Sequence, residues 1–292
     1  MNIDISPDFP FESKFQEVNG SNMHYVEVGE GDPILFLHGQ PTSSYLWRNI
    51  IPHLESSGRC IAPDLIGMGK SDKPDIDYTF EEHYDYLEKF IINLNLTNIT
   101  LVVHDWGSGL GFHYANTHSD KVKGIAFMEA IITTMTWGDF PSDYKVIFKL
   151  IRTPVIGWIM LSVFNMFLNK VVPDSIVRKL SKEEFDYYKK PYPTIASRKP
   201  VRTWPLQIPI NGKPKGVHEI ISAYNRWLTQ SEIPKLCLYA HPGAIIKKKQ
   251  VEYISNKFPN TKMVDIGKGI HYVQEDNPHL IGQEIRKWLE NI

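Results

Sequence analysis

Apolar and polar positions change period several times along this 292-residue chain, and each period implies an element. Met23–Val28 alternates polar and apolar residues, the two-residue period of a strand with one wet face, as antiparallel strands have. Ile34–Leu37 is a continuous apolar run ending at His38-Gly39, as a buried strand should be. Ser43–Leu54 predicts a helix with Leu46, Ile50 and Leu54 on one face, and Arg59–Pro63 predicts a strand. Phe80, Tyr84, Leu87, Ile91 and Leu94 recur at three- and four-residue steps, the signature of an amphipathic helix. Ile99–Val103 is the most β-branched run. A glycine-rich helix start follows it, and Val122–Met128 reads as another strand. After Glu129 the rhythm is lost. From Ile131 to Trp227 prolines punctuate short helical patterns and aromatics are dense. Alternation resumes with strands at Lys235–Tyr239 and Lys262–Ile266 and helices at Ile246–Phe258 and Asn277–Leu289. Alternating βα units argue for a mostly parallel sheet covered on both faces. The interrupting hundred or so residues read as a helical insertion.

Composition narrows the class. Hydrophobic residues make up 42% and charged residues 22%, which fits a globular chain with a sizeable core. Lys and Arg total 32 against 33 Asp and Glu, a formal charge of −1, which gives no electrostatic case for nucleic acid or an anionic membrane. The two cysteines, Cys60 and Cys237, sit in apolar runs and read as buried free thiols. No His/Cys spacing suggests a metal. The first fifteen residues carry Asp4, Asp8 and Glu12 rather than a basic start and an apolar core, so the chain reads as cytoplasmic. Thr153–Asn169 is uncharged. It is short for a membrane span and interrupted by Pro154, Gly157, Ser162 and Asn165, so the expectation is a buried or cavity-lining helix.

In open α/β sheets ligands bind beyond the carboxyl ends of the strands. His38-Gly39-Gln40-Pro41, Asp64, Asp105-Trp106, Glu129 and His271 stand at such ends. The strongest signal is Leu101-Val102-Val103-His104-Asp105-Trp106-Gly107-Ser108-Gly109, a strand running into a polar residue and a glycine-flanked helix start. This is the setting of a nucleophile elbow, with Asp105 at the nucleophile position and Val103 where a small residue usually stands. The plainer alternative for Asp105 is a helix N-cap. A carboxylate is ionised at neutral pH and attacks without a base. Attack on an alkyl carbon leaves an ester that water can cleave, whereas serine would leave an inert ether. A base for that water is found in His271, after the last strand and before an acidic helix start. The acid that orients it is sought at two strand ends. Ala240-His241-Pro242-Gly243 has no carboxylate, so Glu129 is the better candidate, with Asp276 and Asp265 next.

These motifs resemble the haloalkane dehalogenases of the α/β-hydrolase superfamily, in the branch whose triad is Asp, His and a Glu after the sixth strand. The resemblance runs through His38–Arg48, Asp64–Ser71, the elbow, Met128–Ile131, Pro242–Ala244 and Gln274–Asp276. It implies an α/β-hydrolase fold: a mostly parallel twisted sheet flanked by helices, with a helical cap inserted after the sixth strand. The core would be residues 1–130 and 228–292, and the cap 131–227. It implies Asp105 as nucleophile, His271 as base and Glu129 as acid. Trp106 and Gln40 would bind halide and form the oxyanion hole, Gln40 standing where the branch usually has Asn. The substrates implied are a small halogenated hydrocarbon and water, the products an alcohol and a halide ion, with no cofactor and no metal. Trp137, Phe140, Phe148, Trp158, Phe164 and Phe167 are candidates for an apolar substrate pocket. Thr153–Asn169 departs most from the family's pattern.

Three other readings share parts of this pattern. An epoxide hydrolase has the same fold and an Asp nucleophile but needs cap tyrosine hydroxyls, and Tyr144, Tyr187, Tyr188 and Tyr192 are available. A coelenterazine luciferase-like oxygenase keeps the triad positions. A non-catalytic hydrolase-fold protein is disfavoured by the complete set of nucleophile, base and acid.

Overall fold

The structure, a computed structural model, describes residues 4–139 and 142–292. Strands β1 (Lys14–Val18), β2 (Ser21–Val28), β3 (Pro33–Leu37), β4 (Arg59–Pro63), β5 (Ile99–His104), β6 (Val122–Ala130), β7 (Lys235–Pro242) and β8 (Thr261–Gly269) form one sheet in the order β1-β2-β4-β3-β5-β6-β7-β8. β2 runs antiparallel to β1 and β4, and every other pair is parallel. The helices are α1 (Phe80–Asn93), α2 (Asp105–Thr117), α3 (Ser142–Ile151), α4 (Pro154–Trp158), α5 (Val172–Asp174), α6 (Lys182–Lys189), α7 (Lys199–Gln207), α8 (Lys215–Leu228), α9 (Lys248–Lys257), α10 (Val273–Asp276) and α11 (Pro278–Leu289).

β3 and β5 are buried along their whole length, which is why they read as unbroken apolar runs. Alternate residues feed two separate cores. Leu35, Leu37, Leu101, Val103 and Phe127 pack with Phe90, Leu110 and Tyr224 on one face. Ile34, Phe36, Val102, Ala126 and Met128 pack with Trp47, Ile285 and Trp288 on the other. α1 starts where the sequence predicts because Thr79 and Glu82 form a reciprocal capping box. The expected helix at Ser43–Leu54 is instead two short 3₁₀ turns, Ser44–Trp47 and Ile51–His53. Pro52 has no N–H to continue an α-helical ladder there. Both cysteines are buried free thiols.

The helices between β6 and β7 form the cap. Thr153–Asn169, expected as a buried or cavity-lining helix, is not one helix, although Phe167 does line the cavity. It comprises α4, a π-helical turn at Ile159–Val163, a break at Asn165 and the start of a second π-helical turn at Phe167–Val171. Val155 is 69% and Phe164 66% exposed. Among the described residues no single helix is long and apolar enough to cross a membrane.

Cap and core are joined by a buried ionic cluster. Arg48 donates to both carboxylate oxygens of Glu275 at 2.7 and 2.8 Å and to Glu184 at 2.7 Å. Arg178 grips Glu184 at 2.6 and 2.9 Å and also reaches Glu275, as does the Tyr188 hydroxyl. The two arginines balance the two carboxylates. Although burial opposes ionisation of Glu184, its hydrogen bonds from Arg178 and the Ser181 amide and the arginine charges hold it down at about 2. Removing one member of such a cluster strands a charge without water. Glu275→Gln is therefore expected to cost about 3–5 kcal/mol of unfolding free energy by chemical denaturation. A loss below 1 kcal/mol would show that the cluster is not a structural tie.

Candidate active site

β5 delivers Asp105 to the carboxyl edge of the sheet, and α2 begins on it. The turn is so tight that Asp105 takes φ +48°, a left-handed conformation rare for non-glycine residues. Close packing sustains the elbow. A Cβ on Gly107 would lie 2.1 Å from the Leu37 carbonyl oxygen, so only glycine fits. The bulk of Val103 is met across the elbow by Gly111, where a Cβ would come within 2.8 Å of the valine Cγ1. Ser108 caps the turn by donating to the Asp105 carbonyl and accepting from the Ile131 N–H at 2.8 Å.

The Asp105 carboxylate is nearly out of solvent. Its Oδ2 accepts the Gln40 backbone N–H at 2.9 Å, and the Trp106 backbone N–H also bonds the carboxylate. Burial raises its pKa above the ordinary aspartate value, against the pull of His271 and these two amides. His271 lies between two carboxylates, with Nε2 3.6 Å from Asp105 Oδ1 and Nδ1 3.4 Å from Glu129 Oε2. Burial alone would lower its pKa. The Glu129 hydrogen bond and the charges of Asp105 and Glu129 outweigh that and raise it. The sequence-predicted trio is thus brought together.

Glu129 comes from the end of β6, itself at φ +43°. Its carboxylate accepts backbone N–H groups of Ala244 and Ile245 at 2.9 and 2.7 Å on Oε2, and of Ile246 at 3.2 Å on Oε1. The turn after β7, which carries no acid, supplies amide donors to an acid from the neighbouring strand. Asp265 instead pairs with the exposed His241 at 2.9 Å, and Asp276 accepts the Val177 and Arg178 amides. Asp64 is structural: it bonds His24 and the Ser44 and Lys70 amides, and although burial opposes its ionisation, the His24 hydrogen bond and charge, the His38 charge and the Lys70 amide hold its pKa down at about 2.

Sequence reasoning assigned no role to His104, Ser175 or Tyr272. The Ser175 carbonyl accepts the His271 and Tyr272 amides at 3.0 and 3.3 Å, so the cap holds the histidine loop. The Tyr272 hydroxyl donates to the Gln40 carbonyl at 3.0 Å. His104 Nε2 is 2.9 Å from the His271 carbonyl and must be the donor. Its total burial, and then the neighbouring His271, push its pKa far down, so it is a neutral strut. His104 stood in the elbow motif, but nothing in the sequence pairs it with His271.

The site opens on a cavity of about 880 Å³ whose wall includes Gln40, Asp105, Trp106, His271, Phe148 and Phe167. Trp106 stacks on Trp204 of α7, with ring centroids 4.6 Å apart. The Gln40 side chain donates one amide hydrogen to the Val201 carbonyl at 2.7 Å. Three of the aromatics expected in the wall are elsewhere among the described residues. Trp158 and Phe164 face outward, 40% and 66% exposed, and past the break at Asn165 Phe167 lies on the cavity wall. Trp137 lies under the Lys149 ammonium instead. Phe140 falls outside the described residues. Among them, no group of three or more His, Cys, Asp or Glu is placed to hold a metal ion.

The α/β hydrolase fold family matches residues 32–278. A haloalkane dehalogenase from Mesorhizobium japonicum is 44% identical over 93% of this chain and 89% of its own length. One from Sphingobium indicum is 43% identical over 97% of both chains. The solved haloalkane dehalogenase of Bradyrhizobium elkani superposes with a TM-score of 0.94 at 39% identity, covering 96% of this chain and 98% of the other. An ancestral haloalkane dehalogenase superposes with a TM-score of 0.93 at 42% identity, covering 95% and 98%. The fold and site geometry place the chain in the α/β-hydrolase class, and within that class it belongs to the haloalkane dehalogenase family.

His271 owes part of its raised pKa to the charge of Asp105. Asp105→Asn removes that charge and keeps the shape, so the His271 ring should titrate at lower pH in the variant. NMR titration of the imidazole in both proteins checks this. An unchanged or higher value would show that the pair is not electrostatically coupled.

Proposed function

We propose that the chain hydrolyses haloalkanes through a covalent ester on Asp105. The observation that carries this reading is an ionisable carboxylate, not a hydroxyl, at the elbow, on the floor of a largely apolar cavity with His271 beside it. The enzyme is a hydrolase acting on carbon–halide bonds. Residues 1–130 and 228–292 serve as its core and 131–227 as its cap, and it works in the cytoplasm.

In the first half-reaction Asp105 Oδ1, the oxygen not held by the Gln40 amide, attacks the halogen-bearing carbon. A carbon–oxygen bond forms and the halide leaves with the bonding pair. The departing charge needs N–H donors in a water-poor site. The Trp106 indole N–H and the second amide hydrogen of Gln40 serve as these donors, the first being held on Val201. In the second half-reaction water attacks the ester Cγ. The Gln40 and Trp106 backbone amides, already on the carboxylate, stabilise the oxyanion. His271 Nε2 takes the water proton, and Glu129 stabilises the imidazolium through Nδ1; the Cγ–Oδ1 bond then breaks as the imidazolium returns the proton to the departing alkoxide, which releases the alcohol and restores the Asp105 carboxylate. Esterification neutralises Asp105 and so removes one cause of the raised His271 pKa. The histidine is thereby shifted toward the neutral form when it must act as base.

The epoxide reading finds less support. The Tyr188 hydroxyl bonds Glu275, the Tyr192 hydroxyl faces the Pro41 carbonyl, and Tyr187 stacks on Tyr45. None of these three is on the cavity wall. The Tyr144 side chain is outside the described part.

Wild type should release bromide from a bromoalkane, and Asp105→Ala should not. His271→Phe should release about one bromide per protein and gain the alkyl mass by intact mass spectrometry; no mass gain would sink the mechanism. Gln40→Ala should slow the halide-release burst by about 2–4 kcal/mol in activation free energy, as for a lost oxyanion-hole donor. Ester formation at the wild-type rate would remove Gln40 from the halide site.

A further inference from the structure

A serine, a histidine and a carboxylate stand in hydrogen-bonded order away from the active site. Ser13 precedes β1, His24 lies in β2 and Asp64 follows β4. The antiparallel register sets His24 opposite Phe15. Ser13 is two residues before Phe15, on the same side of the chain, and so meets the histidine ring. Ser13 Oγ lies 3.0 Å from His24 Nε2, and His24 Nδ1 lies 2.8 Å from Asp64 Oδ2. His24 and Asp64 are buried, and Ser13 is exposed. None of the three is on the wall of the active-site cavity. Asp64 stays ionised, so its Oδ2 accepts the Nδ1–H of His24. In a neutral imidazole Nε2 then carries the lone pair and accepts the Ser13 hydroxyl proton. The Lys70 ammonium donates to Ser13 Oγ at 2.8 Å, and a cation beside a hydroxyl favours its alkoxide form. The exposed Phe15 ring meets His24 with centroids 5.4 Å apart, and Lys70 lies over Phe9, so apolar surface flanks the hydroxyl. A tie between β2 and the turn after β4 accounts for the His24–Asp64 bond. It does not account for an exposed serine on the other ring nitrogen with an ammonium against it.

We propose that Ser13, His24 and Asp64 form a second nucleophilic site, at which Ser13 takes the acyl group of small activated carboxylic esters. Such a set is recognised by geometry and roles, not by chain position. Ser13 Oγ attacks the ester carbonyl carbon as its proton passes to His24 Nε2. Asp64, fixed by the Ser44 and Lys70 amides, orients the ring and stabilises the imidazolium. The Lys70 ammonium, already at the serine oxygen, faces the oxyanion. The tetrahedral adduct then collapses. Its bond to the alcohol oxygen breaks, and the imidazolium gives its proton to that oxygen. The products are acyl-Ser13 and the alcohol, and water releases the acid by the same proton route. The site does not rest on the dehalogenation proposed above.

Brief exposure of the full chain to p-nitrophenyl acetate, followed by digestion and mass spectrometry, locates the acyl group. Ser57 is exposed and serves as the ordinary serine of the same sample. Ser13 should be acetylated at least about a hundredfold faster than Ser57, the lower end of what a positioned general base supplies. His24→Gln keeps an N–H for Asp64 and removes the base. It should bring Ser13 down to the rate of Ser57 while keeping the wild-type circular dichroism. Ser13→Ala changes only an exposed side chain. It should lose the label and release bromide from a bromoalkane as wild type does, so the two reactions are read separately. Equal labelling of Ser13 and Ser57 in wild type overturns the proposal, whatever the fold of the His24 variant. So does acetylation of Lys70 in place of Ser13, and so does a folded His24→Gln protein labelled at Ser13 at the wild-type rate.

Discussion

A carboxylate at the end of β5 is held almost out of water, and much of the molecule can be understood as what that requires. Burial raises the Asp105 pKa, so the charged form must be sustained by dipoles and a partner charge. The dipoles are the Gln40 and Trp106 amides, and the partner is His271. Each depends on a distinct structural device. The elbow aims the carboxylate through a strained φ that packing at Gly107 and Gly111 sustains. The Tyr272 hydroxyl holds the Gln40 carbonyl. His271 is fixed through its ring by Glu129 and through its backbone by His104 and Ser175. Preorganised donors of this kind need no reorganisation when charge moves, which is where most electrostatic catalysis originates.

The sheet was legible because burial on both faces writes itself as continuous β-branched runs, and β4 and β5 match their predicted bounds to within a residue. β1 was missed. It is an edge strand with Phe15 55% exposed, so its apolar pattern is weak. Yet Asn19-Gly20, both at positive φ, is the two-residue turn joining it to β2, and that dipeptide was a readable signal. The trio Asp105, His271 and Glu129 was legible because strand ends converge in an open α/β sheet. The cavity wall was not. Phe148, Phe164 and Phe167 look alike in the sequence, and only the fold tells the exposed Phe164 from Phe148 and Phe167 on the wall, with the break at Asn165 between Phe164 and Phe167. Aromatic identity records the chemistry available, not its direction.

The ionic cluster illustrates a second limit of sequence. Arg48, the pair Arg178 and Glu184, and Glu275 come from three separate parts of the chain and look like ordinary surface charges, yet Arg48, Glu184 and Glu275 are buried together. A buried cluster of this kind is weak evidence for stability gained over an apolar core, because desolvation opposes it. Its geometric effect is clearer. Glu275 lies four residues beyond His271, and Arg178 three beyond Ser175, whose carbonyl accepts the His271 amide. The cluster therefore fixes the cap segment and the histidine loop to each other on one side of the site.

α7 does the same on the other side. Val201 and Trp204 are three residues apart on that helix and so share a face. The Val201 carbonyl accepts the Gln40 amide hydrogen, and the Trp204 indole stacks on Trp106. Both proposed halide donors are thus positioned by one cap helix. The extra methylene of Gln40, relative to the Asn usual in this family branch, gains meaning here. A longer stem extends the amide's reach, and in this chain that amide meets α7. A side chain that binds only halide would be positioned by the core alone. Gln40 is positioned by the cap as well, so a displacement of α7 would move the glutamine amide and the indole together. The proposed halide site is accordingly a property of the cap–core junction, and sequence changes in α7 would act on it without touching the halide.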